Sequence, residues 1–202
     1  YNLIPNFIQT QFECGHQGGT CEALTMFVDI SGFTAMTESL MRGGDDGAEI
    51  LSGILNRLFN PIVTAIHTYG GFISTFAGDA FTAVFIIEEA SDGDQDDRAL
   101  LTMQCLACAQ EIQAIFQTQR SQHTRYGDFT LSVKVGLGCG EVEWGIGGCK
   151  SPGCHPSKAY FFRGPAIDAC ALAEHQAQAG DIVATTAMLA PLPSDRLAAH
   201  FD

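Results

Sequence analysis

Two aspartates stand at positions where a carboxylate can do chemistry. Asp29 follows a short apolar run in "TMFVDISGFTAM" (25–36), and Asp79 lies between two apolar segments in "FAGDAFTAVF" (76–85). Taken singly, the first is explained as a helix N-cap and the second as a turn residue. Two such carboxylates brought together repel each other unless one is protonated or a cation lies between them. Hard oxygen ligands in small number suit magnesium, which completes its coordination with water and phosphate.

Hydrophobic spacing predicts the elements that would bring the two aspartates together. The order of these elements begins the βαββαβ arrangement of ferredoxin-like folds. A right-handed crossover makes the first two strands parallel, so the end of the first strand and the tip of the following hairpin lie at the same edge of the sheet. If the third strand lies beside the first, Asp29 and Asp79 become neighbours. The predicted elements are strand 24–30, helices 32–40 and 48–69, strands 72–77 and 80–87, and helix 98–119.

The sequence pattern in the second half of the chain predicts further strands and a helix that extend this core. A second hairpin is expected around Cys139-Gly140. The expected fold class is therefore α+β, with a ferredoxin-like βαββαβ core extended by an extra hairpin, helix and strand. We expect an N-terminal arm over 1–23 and one domain over 24–202, with a Gly/Cys-rich insertion at 147–159. The added elements are strands 129–138 and 141–146, strand 160–162, helix 165–178 and strand 181–184.

Composition excludes several function classes. With 202 residues and 46% hydrophobic residues, the chain can bury a substantial core. A net charge of -13 argues against nucleic acid or an anionic membrane as the main partner. No apolar run is expected to span a bilayer, and the eight cysteines are interpreted as free thiols in a reducing cytoplasm. Because the chain starts at Tyr1 without Met, we expect it to be a piece of a longer polypeptide.

The residues after Asp29 can bind an anion. The backbone N–H groups of Ser31 to Thr34 open a predicted helix, and Gly32 permits close approach of a ligand. Metal-binding carboxylates beside such a phosphate cradle describe a nucleoside triphosphate site. Two magnesium ions about 4 Å apart can activate an attacking oxygen and stabilise a leaving oxygen in an in-line displacement.

Four segments together resemble the class III nucleotidyl cyclase catalytic domain. They occur in the order and spacing of that family, and the resemblance runs from Leu24 to about Leu192. Within the family, "FAGDA" and "GPAIDACALA" look most like the first catalytic domain of bicarbonate-responsive soluble adenylyl cyclases. The four segments are "FVDISGFT" (27–34), "FAGDAFTAVF" (76–85), "VKVGLGCGEVEWGIGG" (133–148) and "FFRGPAIDACALAE" (161–174).

The resemblance implies a reaction and its residues. The ribose 3′-oxygen of ATP would attack the α-phosphorus, giving 3′,5′-cyclic AMP and pyrophosphate. Asp29 and Asp79 would hold two Mg²⁺ or Mn²⁺ ions, with the backbone carbonyl of Ile30 as a further ligand. The family acts through two facing domains, and the subgroup makes bicarbonate a candidate activator. The β- and γ-phosphates would be held by the backbone of Gly32, Phe33 and Thr34.

Three positions depart from the family pattern. Thr75 stands where active cyclases carry a base-selecting lysine, Asp168 where an asparagine orients the ribose, and Leu172 where an arginine stabilises the transition state. A leucine cannot donate a hydrogen bond to the developing charge, and loss of such a donor costs several kcal/mol. The departures imply that this chain supplies the metal-binding half of a pseudo-heterodimer, with the missing groups on a second cyclase domain.

Two other function classes fit the same sequence. One is a degenerate cyclase-homology domain that binds metal and nucleotide and regulates a partner; the other is a scaffold that only dimerises. Lys158 and Arg163 are candidate phosphate or bicarbonate contacts, although ordinary surface charge explains them equally well. Lys134 is interpreted as a charge on the sheet surface.

A structural zinc site is not expected. Four ligands could be chosen from two Cys/His segments, but neither segment has the C-x2-C spacing of a zinc knuckle. The residues concerned are Cys14, His16, Cys21, Cys149, Cys154 and His155.

Overall fold

A computed structural model describes residues 4–87, 95–148 and 158–193. One mixed sheet carries five strands in the order β2-β3-β1-β6-β7, and β8 pairs with β6 off this path. The described helices are α1 (Asn6–Glu13), α2 (Phe33–Met41), α3 (Gly44–Thr68), α4 (Gln95–Thr118), α5 (Pro165–Gln176) and α6 (Thr186–Leu189). The described strands are β1 (Gly18–Ser31), β2 (Phe72–Ala77), β3 (Ala80–Ile86), β4 (Ser121–Thr124), β5 (Gly127–Thr130), β6 (Ser132–Gly148), β7 (Lys158–Arg163) and β8 (Ile182–Ala184).

Strand adjacency follows the expected ferredoxin-like order. β3 pairs antiparallel with both β1 and β2, so β1 and β2 run parallel. β6 pairs antiparallel with β1 on its other side over fourteen residue pairs, from Gly18↔Gly145 to Ser31↔Ser132. The α+β fold class with a ferredoxin-like core is therefore confirmed. Beyond the core, β7 pairs antiparallel with the end of β6, from Glu143↔Arg163 to Gly148↔Lys158.

The hairpin predicted around Cys139-Gly140 is wrong. The chain continues through these residues as a single strand, β6, which stays paired with β1 throughout. Gly138 is a glycine for a packing reason, because an added Cβ there would lie 2.7 Å from the backbone nitrogen of Cys170 on α5. Gly140 has a φ of 139°, which interrupts the regular backbone without reversing the chain. The edges of the expected insertion also belong to strands, since 147–148 end β6 and 158–159 begin β7.

Residues expected to form an N-terminal arm are folded onto the sheet. Residues 6–13 form α1, and β1 already begins at Gly18. The Phe7 ring stacks on Phe72 at a centroid distance of 6.1 Å and meets Trp144 edge-on at 5.4 Å. Ile8 is buried as well. Burial of these apolar side chains holds α1 against the domain.

The two faces of the sheet carry different helices. Alternate residues of β1, such as Met26 and Val28, point into a large core with α3 and α4. The opposite face is covered by α5, and Thr25 on this face donates a hydrogen bond to the carbonyl of Ala166 at 2.7 Å. By the same alternation, Asp29 lies on the α5 face. Helices α3 and α4 thus pack on one face of the sheet, and Asp29 lies on the opposite face.

One segment of α4 meets the length and composition criteria for a membrane span, although no such span is expected from the sequence. The segment is Asp97–Thr118, with a mean hydropathy of 1.3. In the fold, its residues Cys105, Cys108 and Ile112 are buried in the core behind β1. A core helix of a globular domain has this composition for packing reasons alone.

Candidate active site

Asp29 lies near the C-terminal end of β1, opposite Lys134 of β6. The Lys134 ammonium nitrogen is 3.2 Å from Asp29 Oδ2, and the Asp29 side chain keeps 29% of its surface exposed. Its carboxylate is therefore ion-paired on one side and open to solvent on the other. Since an ionised carboxylate offers about four lone-pair positions, one ammonium leaves room for further ligands.

Asp79 occupies the tip of the β2–β3 hairpin, at the same edge of the sheet. The register of β1 and β3 ends at Val28↔Phe81, so one further step places Ala80 opposite Asp29 and the turn immediately beyond. The hydroxyl of Thr34, in the first turn of α2, donates to Asp79 Oδ2 at 2.9 Å. The structure thus brings together the end of β1, the hairpin tip and the start of α2. The metal-binding roles of Asp29, Asp79 and the Ile30 carbonyl stay predictions.

The turn from β1 into α2 requires a glycine. Gly32 has a φ of 88°, and an added Cβ would lie 2.3 Å from the carbonyl oxygen of Thr130. Helix α2 starts at Phe33, and its first backbone N–H groups have no acceptor within the helix. Gly32, Phe33 and Thr34 therefore form the open N-terminus expected for a phosphate cradle.

The β4–β5 hairpin contacts helix α2 and the start of helix α3, and so supports this cradle. Tyr126, at the hairpin turn, donates its hydroxyl to Asp46 Oδ2 at 2.7 Å, and Arg125 ion-pairs with the same carboxylate. Ser39 of α2 donates to the Tyr126 carbonyl at 3.1 Å. These contacts fix the connection between α2 and α3. The hairpin was not predicted from sequence, because its strands have four residues each and are mostly polar.

Lys134 is a site residue that sequence reasoning missed. It contacts Asp29 and also ion-pairs with Glu174 of α5, a carboxylate whose side chain is only 6% exposed. The hydrogen bond to Glu174, and secondly the contacts with Asp29, raise the pKa of Lys134, while partial burial acts in the opposite direction. The lysine is therefore charged at neutral pH. The β1–β6 register, which places residue 134 across from residue 29, is the signal that identifies it.

The three departures from the family pattern are all exposed to solvent. Thr75 lies on β2 opposite Thr82. Asp168 and Leu172 stand one turn apart on the outer side of α5, and 66% of the Leu172 surface is exposed. A second protein could therefore reach all three positions, whereas Glu174 of the same helix faces the sheet.

Arg163 and the backbone of Lys158 lie far from the aspartates, which argues against phosphate contacts at this edge, whereas bicarbonate contacts stay a prediction. Arg163 pairs across β6–β7 with Glu143, nine residues beyond Lys134 on β6 and thus about 30 Å along the strand. Its guanidinium donates two hydrogen bonds to the Glu143 carboxylate, at 2.9 and 2.7 Å. The backbone of Lys158 lies further still, opposite Gly148. At that distance the Arg163 side chain does not reach a polyphosphate held at Asp29.

The donor set at this edge fits a hard divalent cation that keeps much of its own coordination shell. Asp29, Asp79 and the Ile30 carbonyl supply only oxygen ligands, as magnesium and manganese prefer. Within the described ranges no cluster of three or more His, Cys, Asp or Glu side chains forms a ready-made metal cage. Water and nucleotide phosphates would have to complete the coordination.

The described thiols are free. Those on α4 and α5 are buried, and Cys14 is exposed. Of the candidate zinc ligands in the described part, His16 Nδ1 lies 2.8 Å from Gln11 Oε1, and Cys21 lies near the Val142 carbonyl. The candidates Cys149, Cys154 and His155 fall outside the described residues.

Residues 19–192 match the model of the adenylate and guanylate cyclase catalytic domain. The chain therefore belongs to the family of adenylate and guanylate cyclase catalytic domains. Adenylate cyclase type 10 of Oryctolagus cuniculus is 33% identical over 164 residues, which are 80% of this chain and 9% of that protein. The chain thus spans about a tenth of the length of the curated relatives it matches.

Solved structures share the fold. The adenylyl cyclase CyaB from P. aeruginosa superposes with a TM-score of 0.64 at 22% identity, covering 87% of this chain and 82% of that one. A dimeric guanylyl cyclase domain from the aquatic fungus Blastocladiella emersonii superposes with a TM-score of 0.61 at 20% identity, covering 88% and 87%.

Proposed function

We propose that this chain is an adenylyl cyclase catalytic domain that supplies the metal-binding half of a two-domain site. The observation that carries the proposal is the convergence of Asp29, Asp79 and the open start of α2 at one edge of the sheet, where Thr34 links the helix to Asp79. ATP is proposed over GTP on the 33% identity with adenylate cyclase type 10. We also propose a cytoplasmic setting, on the same relatives.

Each residue of the edge has a distinct task. Asp29, Asp79 and the Ile30 carbonyl would hold two Mg²⁺ or Mn²⁺ ions, which when bound would activate the ribose 3′-oxygen and stabilise the leaving pyrophosphate. The first N–H groups of α2 bind the β- and γ-phosphates, because they point out of the helix without partners. Lys134 adds a positive charge beside Asp29 and so offsets part of the triphosphate charge.

The rest of the site has to come from a second cyclase domain. Leu172 is exposed and apolar, so it cannot replace an arginine in stabilising the transition state. Thr75 lacks the length and charge of a base-selecting lysine, and Asp168 has no amide to donate. We therefore propose a partner domain, in the same polypeptide or in a dimer, that carries Lys, Asn and Arg at these three positions. Bicarbonate stays a candidate activator.

A regulatory domain without turnover is the second candidate. It is favoured by the ion pair between Lys134 and Asp29, which places a positive charge on one of the two metal-binding carboxylates, and by the exposed Leu172. Such a domain would bind metal and nucleotide and would act only on its partner.

A complementation experiment tests the proposal. The clamp copy is this same chain with Thr75→Lys, Asp168→Asn and Leu172→Arg, and with Asp29→Asn so that it cannot supply metal. Mixed with the unmodified chain, ATP and Mn²⁺, it should form cyclic AMP at least about 100-fold faster than either chain alone, since one missing donor typically costs 10²–10³ in rate. Cyclic GMP from GTP is measured in parallel to establish the base preference.

Two matched variants of the metal-supplying chain, measured in the same mixture, test whether Asp79 belongs to the metal site. Asp79→Asn in the metal-supplying chain should abolish product formation, whereas Asp128→Asn, an exposed carboxylate on the β4–β5 hairpin, should leave it unchanged. Nucleotide binding without cyclic product in every mixture would instead establish the regulatory domain. Product formation that survives Asp79→Asn would refute the site.

A further inference from the structure

Glu174 is a buried carboxylate that none of the roles above uses. Its side chain is 6% exposed and forms an ion pair with Lys134, which contacts Asp29 at 3.2 Å on its other side. A single ammonium therefore lies between two carboxylates, one buried on α5 and one half-exposed at the sheet edge. A buried charge without a partner is costly, so Glu174 needs Lys134.

A close contact between helix α5 and strand β6 positions Glu174 beside Lys134. Gly136 of β6 lies under α5, where an added Cβ would come within 2.1 Å of the Cys170 carbonyl oxygen and 2.3 Å of the Glu174 nitrogen. Since side chains two residues apart on a strand share a face, Lys134 and Gly136 both face α5. The glycine lets the helix backbone rest on the strand, and this brings the Glu174 carboxylate to the lysine.

We propose that Glu174 is a positioning residue that controls how strongly Lys134 neutralises Asp29. With two anionic partners, the ammonium is anchored on α5 and shares its charge, so Asp29 stays able to bind a divalent cation. Without the Glu174 charge, Asp29 becomes the only anionic partner of Lys134, and the lysine then competes directly with the metal. The inference rests on the proposed role of Asp29 as a metal ligand.

A double-mutant cycle on metal binding tests it. The probe is Mn²⁺ with α,β-methylene-ATP, and free Mn²⁺ is followed by electron paramagnetic resonance without any turnover. Glu174→Gln should weaken Mn²⁺ binding about tenfold, which corresponds to about 1.4 kcal/mol. Glu143→Gln, which breaks the exposed Arg163 ion pair further along β6, is the matched control and should change the affinity less than about twofold.

The same substitution in a Lys134→Met chain distinguishes a positioning role of Glu174 from a general loss of charge or of folding. In a Lys134→Met chain, adding Glu174→Gln should leave Mn²⁺ affinity unchanged within about twofold, because the effect is transmitted by the lysine. An equal loss in both backgrounds would overturn the inference in favour of a simple charge effect. Thermal melting checks each variant, and an unfolded Glu174→Gln chain would assign the carboxylate to stability and also overturn it.

Asp29→Asn distinguishes this inference from the proposed function. If Asp29→Asn binds Mn²⁺ as tightly as the unmodified chain, the metal site itself is refuted. If Asp29→Asn abolishes binding while Glu174→Gln has no effect, the metal site stands and only the role of Glu174 is refuted.

Discussion

Asp29 does not cap helix α2, whose N-cap is Gly32, and the proposed chemistry of Asp29 and Asp79 comes from their surroundings. Asp29 is opposed by Lys134, and Asp79 accepts a hydrogen bond from Thr34 of α2. The sequence indicated both aspartates because each stands at the end of an apolar run. It gave no role to Lys134 or Glu174, because a lysine in a strand and a glutamate in a helix are common. The partners of these two residues can be identified only when the β1–β6 register and the position of α5 on the sheet are known.

Thr34→Val tests the link between helix α2 and Asp79. Loss of the hydroxyl removes the only hydrogen bond described for this carboxylate in residues 4–87, 95–148 and 158–193. We expect metal–nucleotide affinity to fall about 3- to 10-fold, in line with 0.5–1.5 kcal/mol for a hydrogen bond. The control is Thr64→Val, which removes an exposed threonine hydroxyl bonded within α3. Calorimetry with Mn²⁺ and α,β-methylene-ATP measures both, and equal affinities would contradict the link.

The buried thiols allow a prediction on reactivity. Burial raises the pKa of Cys108 to about 12 and that of Cys170 to about 11. Because only the thiolate reacts, both should resist iodoacetamide at pH 7.5, while exposed Cys14 is alkylated. In the unfolded chain these thiols ionise near their ordinary pKa of about 8.5, so folding stability should fall as pH rises above that value.

Mass spectrometry after timed alkylation, and melting temperatures at pH 7.5 and 9.5, test this prediction. Cys108→Ala should reduce the loss of stability between the two pH values, because it removes one of the titrating groups. Rapid labelling of Cys108 or Cys170 in the folded protein would contradict the assigned burial.

At the level of elements, the positioning of the two aspartates was predictable and the course of β6 was not. The strand–helix–hairpin order from β1 to β3 follows from apolar spacing and the Gly-Asp turn, and it places both aspartates at one edge. The sequence predicts a turn at Cys139-Gly140, at the end of a Gly-rich strand, because glycine is typical of turns. In the fold, Gly136 and Gly138 are glycines because α5 lies directly on them. Local sequence does not distinguish a glycine that a turn requires from a glycine that a closely packed helix requires.

Gly136→Ala tests this account of how α5 is seated. An added methyl group would lie 2.1 Å from the Cys170 carbonyl oxygen, so the helix has to move away from the strand. We expect a loss of about 1–3 kcal/mol in the free energy of unfolding, as for other overpacked sites. Gly147→Ala, on the same strand with nothing within 4 Å, is the control. Urea denaturation measures both, and a Gly136→Ala chain as stable as the control would contradict the contact.

At the scale of the whole molecule, the proposed function makes this chain one half of a two-domain site. In that proposal the edge with Asp29 and Asp79 holds metal and phosphate, whereas Thr75, Asp168 and Leu172 lack the groups that the resemblance implies at their positions. With a net charge of -13, the domain has little positive charge to bind a triphosphate unaided. Divalent cations and a partner domain would therefore have to supply most of it. The family and its fold could be recognised from sequence, because four separate segments agree in order and spacing.

The position of bound metal tests the roles proposed for Asp29 and Asp79 without any need for turnover. Crystals of this chain soaked with Mn²⁺ and α,β-methylene-ATP would be examined by anomalous scattering at the manganese edge. We expect manganese peaks bound by the carboxylates of Asp29 and Asp79, with the nucleotide phosphates at the start of α2. Peaks located elsewhere, or an Asp29 carboxylate that keeps only Lys134 as its partner at saturating Mn²⁺, would contradict these roles.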